Sequence, residues 1–295
     1  MARIRALGLG AIETMEESVT QLRDRASSLR ERSRLPSQAQ LVRPRITAAI
    51  PCYNEEQFIG DLVLQTRRLV DQVIVVNDGS QDGTSSVARA AGAMVVDHSV
   101  NKGYGQAIMS CFQAARATGS DILVTLDGDN QHSPEEITTL IGPILRGEAD
   151  IVIGSRLLKE SPQTNMQRYR RFGIRAITWL CNVGSPVKVT DSQSGFRAYR
   201  MSVLESVTLT NRGMGVSVEM LIKAREKGFV IHELPISCRY HRRSSKQNPV
   251  THGLGVVLAV IMFRLRSIRP ADGASSRSAV GRNDQNAVSR QSASR

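Results

Sequence analysis

An α/β fold built on a mostly parallel central sheet is predicted by two observations. Short β-rich runs alternate with amphipathic helical stretches from about residue 45 onward, and 41% of the 295 residues are apolar, enough for a sizeable core. The alternation implies right-handed strand–helix–strand crossovers. The predicted strands are Ile46–Ile50, Gln72–Val76, Ala93–Val96, Ile122–Leu126 and Ile151–Ile153, with helices near 55–69, 84–91, 104–117 and 134–145 between them. Past residue 155 the alternation weakens into an Arg-rich segment, 156–175, with a further helix and strand near 216–234.

The flanks read differently. Residues 12–34 carry polar helix formers with Leu22 and Leu29 on one face, and Pro36-Ser37-Gln38 breaks that pattern into a linker. From about Ala271 the chain is Ser, Arg, Gly and Asn with almost no core-forming residue, a disordered composition. The expected organisation is a basic N-terminal helix and linker (1–45), one catalytic domain (46–250), an amphipathic segment (251–270) and a tail (271–295).

Charge follows the same division. Residues 1–45 hold nine Lys/Arg against five Asp/Glu, 46–238 hold 19 against 20, and 239–295 hold 11 against two, for a formal net charge of +12. A neutral body with basic ends suits an anionic membrane surface. With aromatic residues at 4% and no nucleic-acid-binding signature, nucleic acid is not an expected partner. The longest apolar run, Leu254 to Phe263, is about half a membrane span and ends at Arg264. Glu13, Glu16 and Glu17 stand where a signal core would lie, and Cys52, Cys111, Cys181 and Cys238 lack metal or disulfide spacing. A cytoplasmic protein peripherally associated with the membrane is expected.

In an open parallel sheet, ligands sit beyond the carboxyl ends of the strands. The first run exits into Pro51-Cys52-Tyr53-Asn54-Glu55-Glu56, the second into Asn77-Asp78-Gly79-Ser80, and the fourth into Asp127-Gly128-Asp129-Asn130-Gln131. Each is an ordinary turn by itself, but three acidic ends on one edge are costly without a cationic partner. Asp127 and Asp129, one glycine apart, can approach one hard cation, with Gln131 adding a neutral oxygen; Mg²⁺ or Mn²⁺ held by few protein oxygens completes its shell with phosphates. A metal–diphosphate site is therefore predicted. Gly8-Leu9-Gly10 follows no strand and has no third glycine, so a dinucleotide-binding dehydrogenase is not expected.

The ordered series Ala49-Ile50-Pro51, Asn54-Glu55-Glu56, Asn77-Asp78-Gly79-Ser80, Asn101-Lys102-Gly103, Asp127-Gly128-Asp129, Gly154-Ser155-Arg156 and Ser194-Gly195-Phe196-Arg197 resembles the family-two inverting glycosyltransferases of GT-A fold. Within them it is most similar to the polyprenyl-phosphate (dolichol-phosphate) mannosyl- and glucosyltransferases. The resemblance implies that Pro51, Tyr53 and Glu55 line the nucleoside of a GDP- or UDP-hexose and that Asp78 contacts base or ribose. It implies that Asp127, Asp129 and Gln131 form the metal–diphosphate group, with Arg156 near phosphate. Asp191 and the Ser194-Gly195-Phe196 turn match the segment beside the transferring sugar, and Arg242, Arg243, Ser245 and Lys246 match a group that faces the acceptor phosphate. In Arg242-Arg243-Ser244-Ser245-Lys246, Ser244 replaces the family's glycine, leaving open which arginine acts.

The chemistry expected is inverting transfer of mannose or glucose to a polyprenyl or dolichyl phosphate. A lipid phosphate is largely ionised near neutral pH and attacks without a base, so Asp191 is expected to position sugar hydroxyls, with the general-base role as the other reading. The alternative function is a soluble family-two transferase acting on a glycan or small molecule. A nucleotidyltransferase would need a Gly-rich basic loop after the first strand, where Pro51-Cys52-Tyr53-Asn54 stands instead. The histidines, His98 and His132 among them, show no ligand spacing and read as surface or hydrogen-bonded side chains. Over 166–183, Met166, Tyr169, Phe172, Ala176, Leu180 and Val183 recur on one side while Arg168, Arg170, Arg171 and Arg175 lie largely off that stripe. This predicts a basic amphipathic helix at an anionic interface over which the acceptor approaches, with Leu254–Phe263 as a second anchor.

Overall fold

The computed structural model describes residues 43–162 and 166–239 of the chain. The expected N-terminal helix, the segment 251–270, the tail and the acceptor group Arg242, Arg243, Ser245 and Lys246 lie outside the described residues.

Seven strands form one sheet: β1 (Ile46–Cys52), β2 (Gln72–Asn77), β3 (Met94–Asp97), β4 (Ile122–Thr125), β5 (Ile151–Ser155), β6 (Arg197–Arg200) and β7 (Ile231–Pro235). Their spatial order is β3-β2-β1-β4-β6-β5-β7. The helices are α1 (Glu56–Thr66), α2 (Thr84–Ala90), α3 (Tyr104–Ala117), α4 (Ile137–Leu145), α5 (Arg168–Asn182), α6 (Met201–Ser206) and α7 (Val216–Glu226). The mostly parallel sheet is as expected, and the strand ends agree with the sequence reading to within one or two residues. The addition is β6, a short strand that pairs antiparallel with both β4 and β5. Its sequence, Arg-Ala-Tyr-Arg, has no apolar run to announce it.

Because side chains alternate along a strand, the sheet separates two apolar layers. Ala48, Ile50, Val73, Val75, Val124 and Val152 face one layer, whereas Ala49, Ile74, Val76, Leu123, Ile151 and Ile153 face the other. The first layer takes its helical cover from α1, α2 and α4, the second from α3 and α7 and from the inner edge of α5, Ile177 and Cys181. Burial of both faces explains why the parallel strands read as continuous apolar runs rather than alternating ones.

Strand order reverses at β1, which pairs parallel with β2 on one side and with β4 on the other. The carboxyl ends of β1 and β4 therefore flank the crevice where a doubly wound sheet binds ligands. Pro51 fits into the otherwise central β1 because β4 ends at Thr125, opposite Ala49, so the amide proton that proline lacks has no ladder partner on that side.

Helix α3 enters this edge tightly. A Cβ on Gly105 would lie 2.4 Å from the Asn211 carbonyl oxygen and 2.6 Å from that of Gly213, so the helix start and the loop before α7 touch through backbone. Gly105→Ala is expected to lower stability by about 1–3 kcal/mol through overpacking. An unchanged urea midpoint would show that the two segments do not pack this closely.

Candidate active site

The strand-end loops are tied together before any ligand is considered. Asn54, which has a left-handed backbone (φ 58°), accepts the Gln81 amide at 2.9 Å through Oδ1, and its own amide donates to Ser80 Oγ at 2.9 Å. The Glu55 amide donates to Thr84 Oγ1 at 2.8 Å. Asn130, in the Asp127–Gln131 loop, is the other non-glycine residue with positive φ among those described. Asparagine tolerates this region better than most side chains, so both bends come from residues suited to them.

The Asp127–Gln131 loop leaves β4 at the crevice. Tyr104 Oη donates to Asp127 Oδ1 at 3.3 Å, and His132 Nε2 lies 3.9 Å from Asp127 Oδ2. Gly195 packs against the same carboxylate: a Cβ there would fall 2.3 Å from Oδ1 and 2.4 Å from Oδ2. The Ser194-Gly195-Phe196 turn is buried, and Thr125 Oγ1 donates to the Gly195 carbonyl at 2.7 Å, so this turn backs the acidic loop. Gln131 turns its amide nitrogen to Asp129 and also donates its backbone N–H to Asp129 Oδ1 at 3.2 Å. In this arrangement Gln131 braces Asp129, whereas the sequence suggested a metal-facing oxygen.

Electrostatic strain collects here. Burial, then Asp127, then Glu55 push Asp129 up to about 7 despite the Gln131 hydrogen bonds. Burial, then Asp82 and Asp127 push Glu55 up to about 7 as well. Burial holds His132 down at about 4, so its ring is neutral at pH 7 and contributes no compensating charge. Its Nδ1 is buried without a close hydrogen-bond partner among the described residues.

These features fit a divalent cation. The Asp129 carboxyl is destabilised by burial and by the charge of Asp127, and the absence of a Cβ at Gly195 gives the Asp127 carboxylate room to lie against that turn. Among the described residues, no set of three or more His, Cys, Asp or Glu side chains is arranged to hold a metal by itself. A cation here would need oxygens from elsewhere, as a diphosphate supplies.

At the end of β5, Arg156 meets Asp191 in a two-pronged pair: Nε to Oδ2 at 2.7 Å and Nη2 to Oδ1 at 2.9 Å. Asp191 is 0% exposed and also accepts the Arg156 amide at 3.2 Å. Arg156 holds its carboxyl below the usual range against the effect of burial. Asp191 therefore fixes Arg156, with both carboxylate oxygens engaged by it. Glu233 on β7 supports the pair by accepting the amides of Thr190 at 2.7 Å and Asp191 at 3.0 Å.

Asp78 is likewise internal. It is 4% exposed and accepts the amides of Lys102 and Gly103, each at 2.9 Å, and meets His98 Nδ1 at 2.6 Å. His98 in turn meets Ser110 Oγ on α3 at 2.9 Å. This carboxylate anchors the loop that starts α3. Tyr53 is open to solvent at 45% exposure, while Pro51 is buried beneath it in β1. Sequence reasoning missed Tyr104, Glu233 and the placement of His98, and their only local signal is a polar residue beside an apolar run.

A mostly parallel sheet with two carboxylates at its switch point is the architecture of a GT-A-type glycosyltransferase. The chain belongs to glycosyl transferase family 2, whose family model matches residues 47–208, and it is a glycosyltransferase. It is 30% identical to UDP-N-acetylglucosamine–dolichyl-phosphate N-acetylglucosaminyltransferase of Methanococcus voltae, over 74% of this chain and 96% of that one. It is 32% identical to dolichyl-phosphate hexose transferase of Haloferax volcanii, over 71% and 89% respectively. Among solved structures it resembles glucosyl-3-phosphoglycerate synthase from Mycobacterium tuberculosis in complex with phosphoglyceric acid, with a TM-score of 0.57, 25% identity and coverage of 74% and 79%.

The carboxylate crowding predicts a stability effect with a defined sign. Asp129 has a folded-state pKa of about 7, above the unfolded value of about 3.9, so its carboxyl costs stability progressively as the pH rises from about 4 to about 7 and by a constant amount above that. In metal-free protein Asp129→Asn is expected to raise stability by on the order of 1–3 kcal/mol at pH 8. The gain should nearly vanish at about pH 3, where the proton is bound in both the native and the unfolded state. Thermal unfolding at both pH values checks this, and an equal or lower Tm for the variant at pH 8 would contradict the crowding.

Proposed function

We propose that this enzyme transfers mannose or glucose from a GDP- or UDP-hexose to a polyprenyl or dolichyl phosphate, inverting the anomeric centre. The observation that carries the reading is that Asp127 and the fixed Arg156–Asp191 pair both act electrostatically on the buried ring of His132, so the acidic loop and the guanidinium lie at one edge of the sheet. Relatives named for transfer to dolichyl phosphate support the acceptor class.

In this reading the exposed ring of Tyr53 and the carboxyl of Glu55 contact the nucleoside, with Pro51 underlying them. Asp78 acts indirectly, by fixing the Lys102–Gly103 turn beside the donor. Asp127 and Asp129, with Gln131 bracing the second, hold Mg²⁺ or Mn²⁺. That ion, when bound, neutralises charge gathering on the diphosphate as the glycosidic bond breaks. Arg156, already aimed by Asp191 and Glu233, adds a fixed positive group that needs no reorganisation during the reaction. An ionised phosphate acceptor suits the site because Asp191, beside Arg156, is fully engaged and offers no base to an alcohol. Arg242, Arg243, Ser245 and Lys246 are proposed to receive that phosphate. Such an acceptor resides in a bilayer, so the enzyme works as a peripheral protein at a cytoplasmic membrane face.

Two measurements test this. Purified enzyme given a panel of radiolabelled nucleotide sugars and a short-chain polyprenyl phosphate should form a hexosyl phospholipid, and excess chelator should abolish the product. Asp129→Ala should reduce kcat at least about a hundredfold, the scale of losing one preorganised electrostatic group, while the circular dichroism spectrum is retained. Full activity in chelator would remove the metal from the reaction, and transfer confined to a soluble hydroxyl acceptor such as 3-phosphoglycerate would replace the lipid reading.

In a separate prediction, Arg156→Ala leaves Asp191 buried and unpaired. It should cost about 3–5 kcal/mol of stability as well as activity, whereas changing Arg156 and Asp191 together to similarly sized apolar residues should restore much of the stability and none of the activity. Urea titration of both variants checks this, and a near-zero cost for Arg156→Ala would show that the pair is solvated.

A further inference from the structure

Helix α5 presents the largest concentration of exposed aromatic surface among the described residues: Tyr169 is 56% exposed, Phe172 75% and Trp179 67%. At 3.6 residues per turn these three, with Ala176, fall within about 60° of Phe172 around the helix, so they form one continuous outward stripe. The inner edge is Ile177, Thr178 and Cys181, all buried. This outward stripe differs from the one drawn from the sequence: Met166 is buried and Leu180 half-buried, and Trp179 takes their place.

Charge is arranged around that stripe. Arg168 and Arg175 flank it on one side, with Arg171 just beyond, and all three are exposed. None of the three has an ion pair among the described residues, and α5 contains no Asp or Glu. Isolated exposed apolar residues need no explanation, but three aromatics in register beside three exposed arginines do. Pairing of two copies through this face would bring the arginines of one helix against those of the other, because a two-fold interface meets itself. The complement of the face is an extended anionic surface with an apolar layer just beneath it.

We propose that this face docks on an anionic bilayer, with Phe172 and Trp179 entering the headgroup–acyl boundary and Arg168, Arg171 and Arg175 meeting lipid phosphates. The inference deepens the acceptor reading above and rests on it for its purpose. The geometry suits that purpose. Thr178 Oγ1 bonds Ser192 Oγ at 2.9 Å and accepts the Ser192 amide at 3.1 Å, while the Asn182 side chain donates to the Val189 carbonyl at 2.7 Å and accepts its amide at 3.0 Å. Four hydrogen bonds thus fix the inner face of α5 to the turn that carries Asp191. A bilayer seated on the outer face would lie about one helix diameter, roughly 10 Å, from the Arg156–Asp191 pair.

The chain has a single tryptophan, so Trp179 reports its own environment in the unsubstituted protein. On addition of vesicles of equal parts phosphatidylglycerol and phosphatidylcholine, its emission should shift to the blue and be quenched by acyl-chain-brominated lipid. Pure phosphatidylcholine should give much less of either effect, and added salt should weaken both. Phe172→Ser combined with Arg168→Glu, Arg171→Glu and Arg175→Glu should lower vesicle partitioning by at least about tenfold while turnover of a water-soluble short-chain polyprenyl phosphate is retained. Protein that sediments with the vesicles while its emission stays unmoved would overturn the proposal in favour of another basic surface. A blue shift on concentrating the protein without lipid, together with sedimentation as a dimer, would overturn it in favour of a second copy. Failure of the unsubstituted chain to use the short-chain acceptor would instead overturn the acceptor reading, since vesicle binding is measured without it.

Discussion

The parallel pairing of β1 with both β2 and β4 is the constraint on which the site depends. Backbone hydrogen bonds set its register, from Thr47 opposite Gln72 to Cys52 opposite Asn77 on one side and from Ile46 opposite Ile122 to Ala49 opposite Thr125 on the other. Once these three strands run the same way, loops separated by dozens of residues must emerge at one edge. Asn54, Ser80, Gln81 and Thr84 then bond across the gap, and Asp127 and Asp129 arrive between β1 and β6 with no freedom to avoid Glu55.

That enforced proximity has an electrostatic consequence. Carboxylates are ordinarily kept apart or paired, and this enzyme does both of those things elsewhere. Asp191 has Arg156, Glu219 has Lys223 and the Thr210 and Asn211 amides, and Asp78 has two amides and an imidazole. At the end of β4 the compensation is missing, and the neighbouring histidine is held neutral by burial. A binding site for a cation and its diphosphate is the state in which such crowding is relieved. The stored repulsion and the affinity for the missing charge are one quantity seen from two sides.

The opposite wall is built for rigidity. Arg156 stands at the end of β5, Glu233 on the adjacent parallel strand β7, and Asp191 on the turn between them, so the guanidinium is aimed by two carboxylates at successive distances from it. The same turn is gripped from outside by α5 through Thr178 and Asn182. A helix with an outward aromatic stripe is in this way rigidly connected to the Arg156–Asp191 pair, so under the proposed reading docking of α5 and the geometry of the site are linked.

The sequence alone determined the sheet and its reactive edge. Apolar runs that alternate with amphipathic helices have one economical packing, and the acidic strand ends had to converge once the strands were parallel, so Asp127, Asp129 and Glu55 were legible as neighbours. The tertiary structure decided what each polar side chain does there. Asp78 and Asp191 look as available in the sequence as Asp129, yet one is closed off by the Lys102 and Gly103 amides and the other by Arg156. Strand β6 escaped notice because its hydrogen-bond partners, β4 and β5, come from distant segments and its own residues carry no apolar run. The outward face of α5 was settled only by packing: helical spacing suggests a stripe of Met166, Tyr169, Phe172, Ala176, Leu180 and Val183, but which side chains stay in water depends on where Ile177, Thr178 and Cys181 find their contacts. Periodicity is a property of the chain, whereas solvent exposure and the partners of a carboxylate depend on residues remote in sequence.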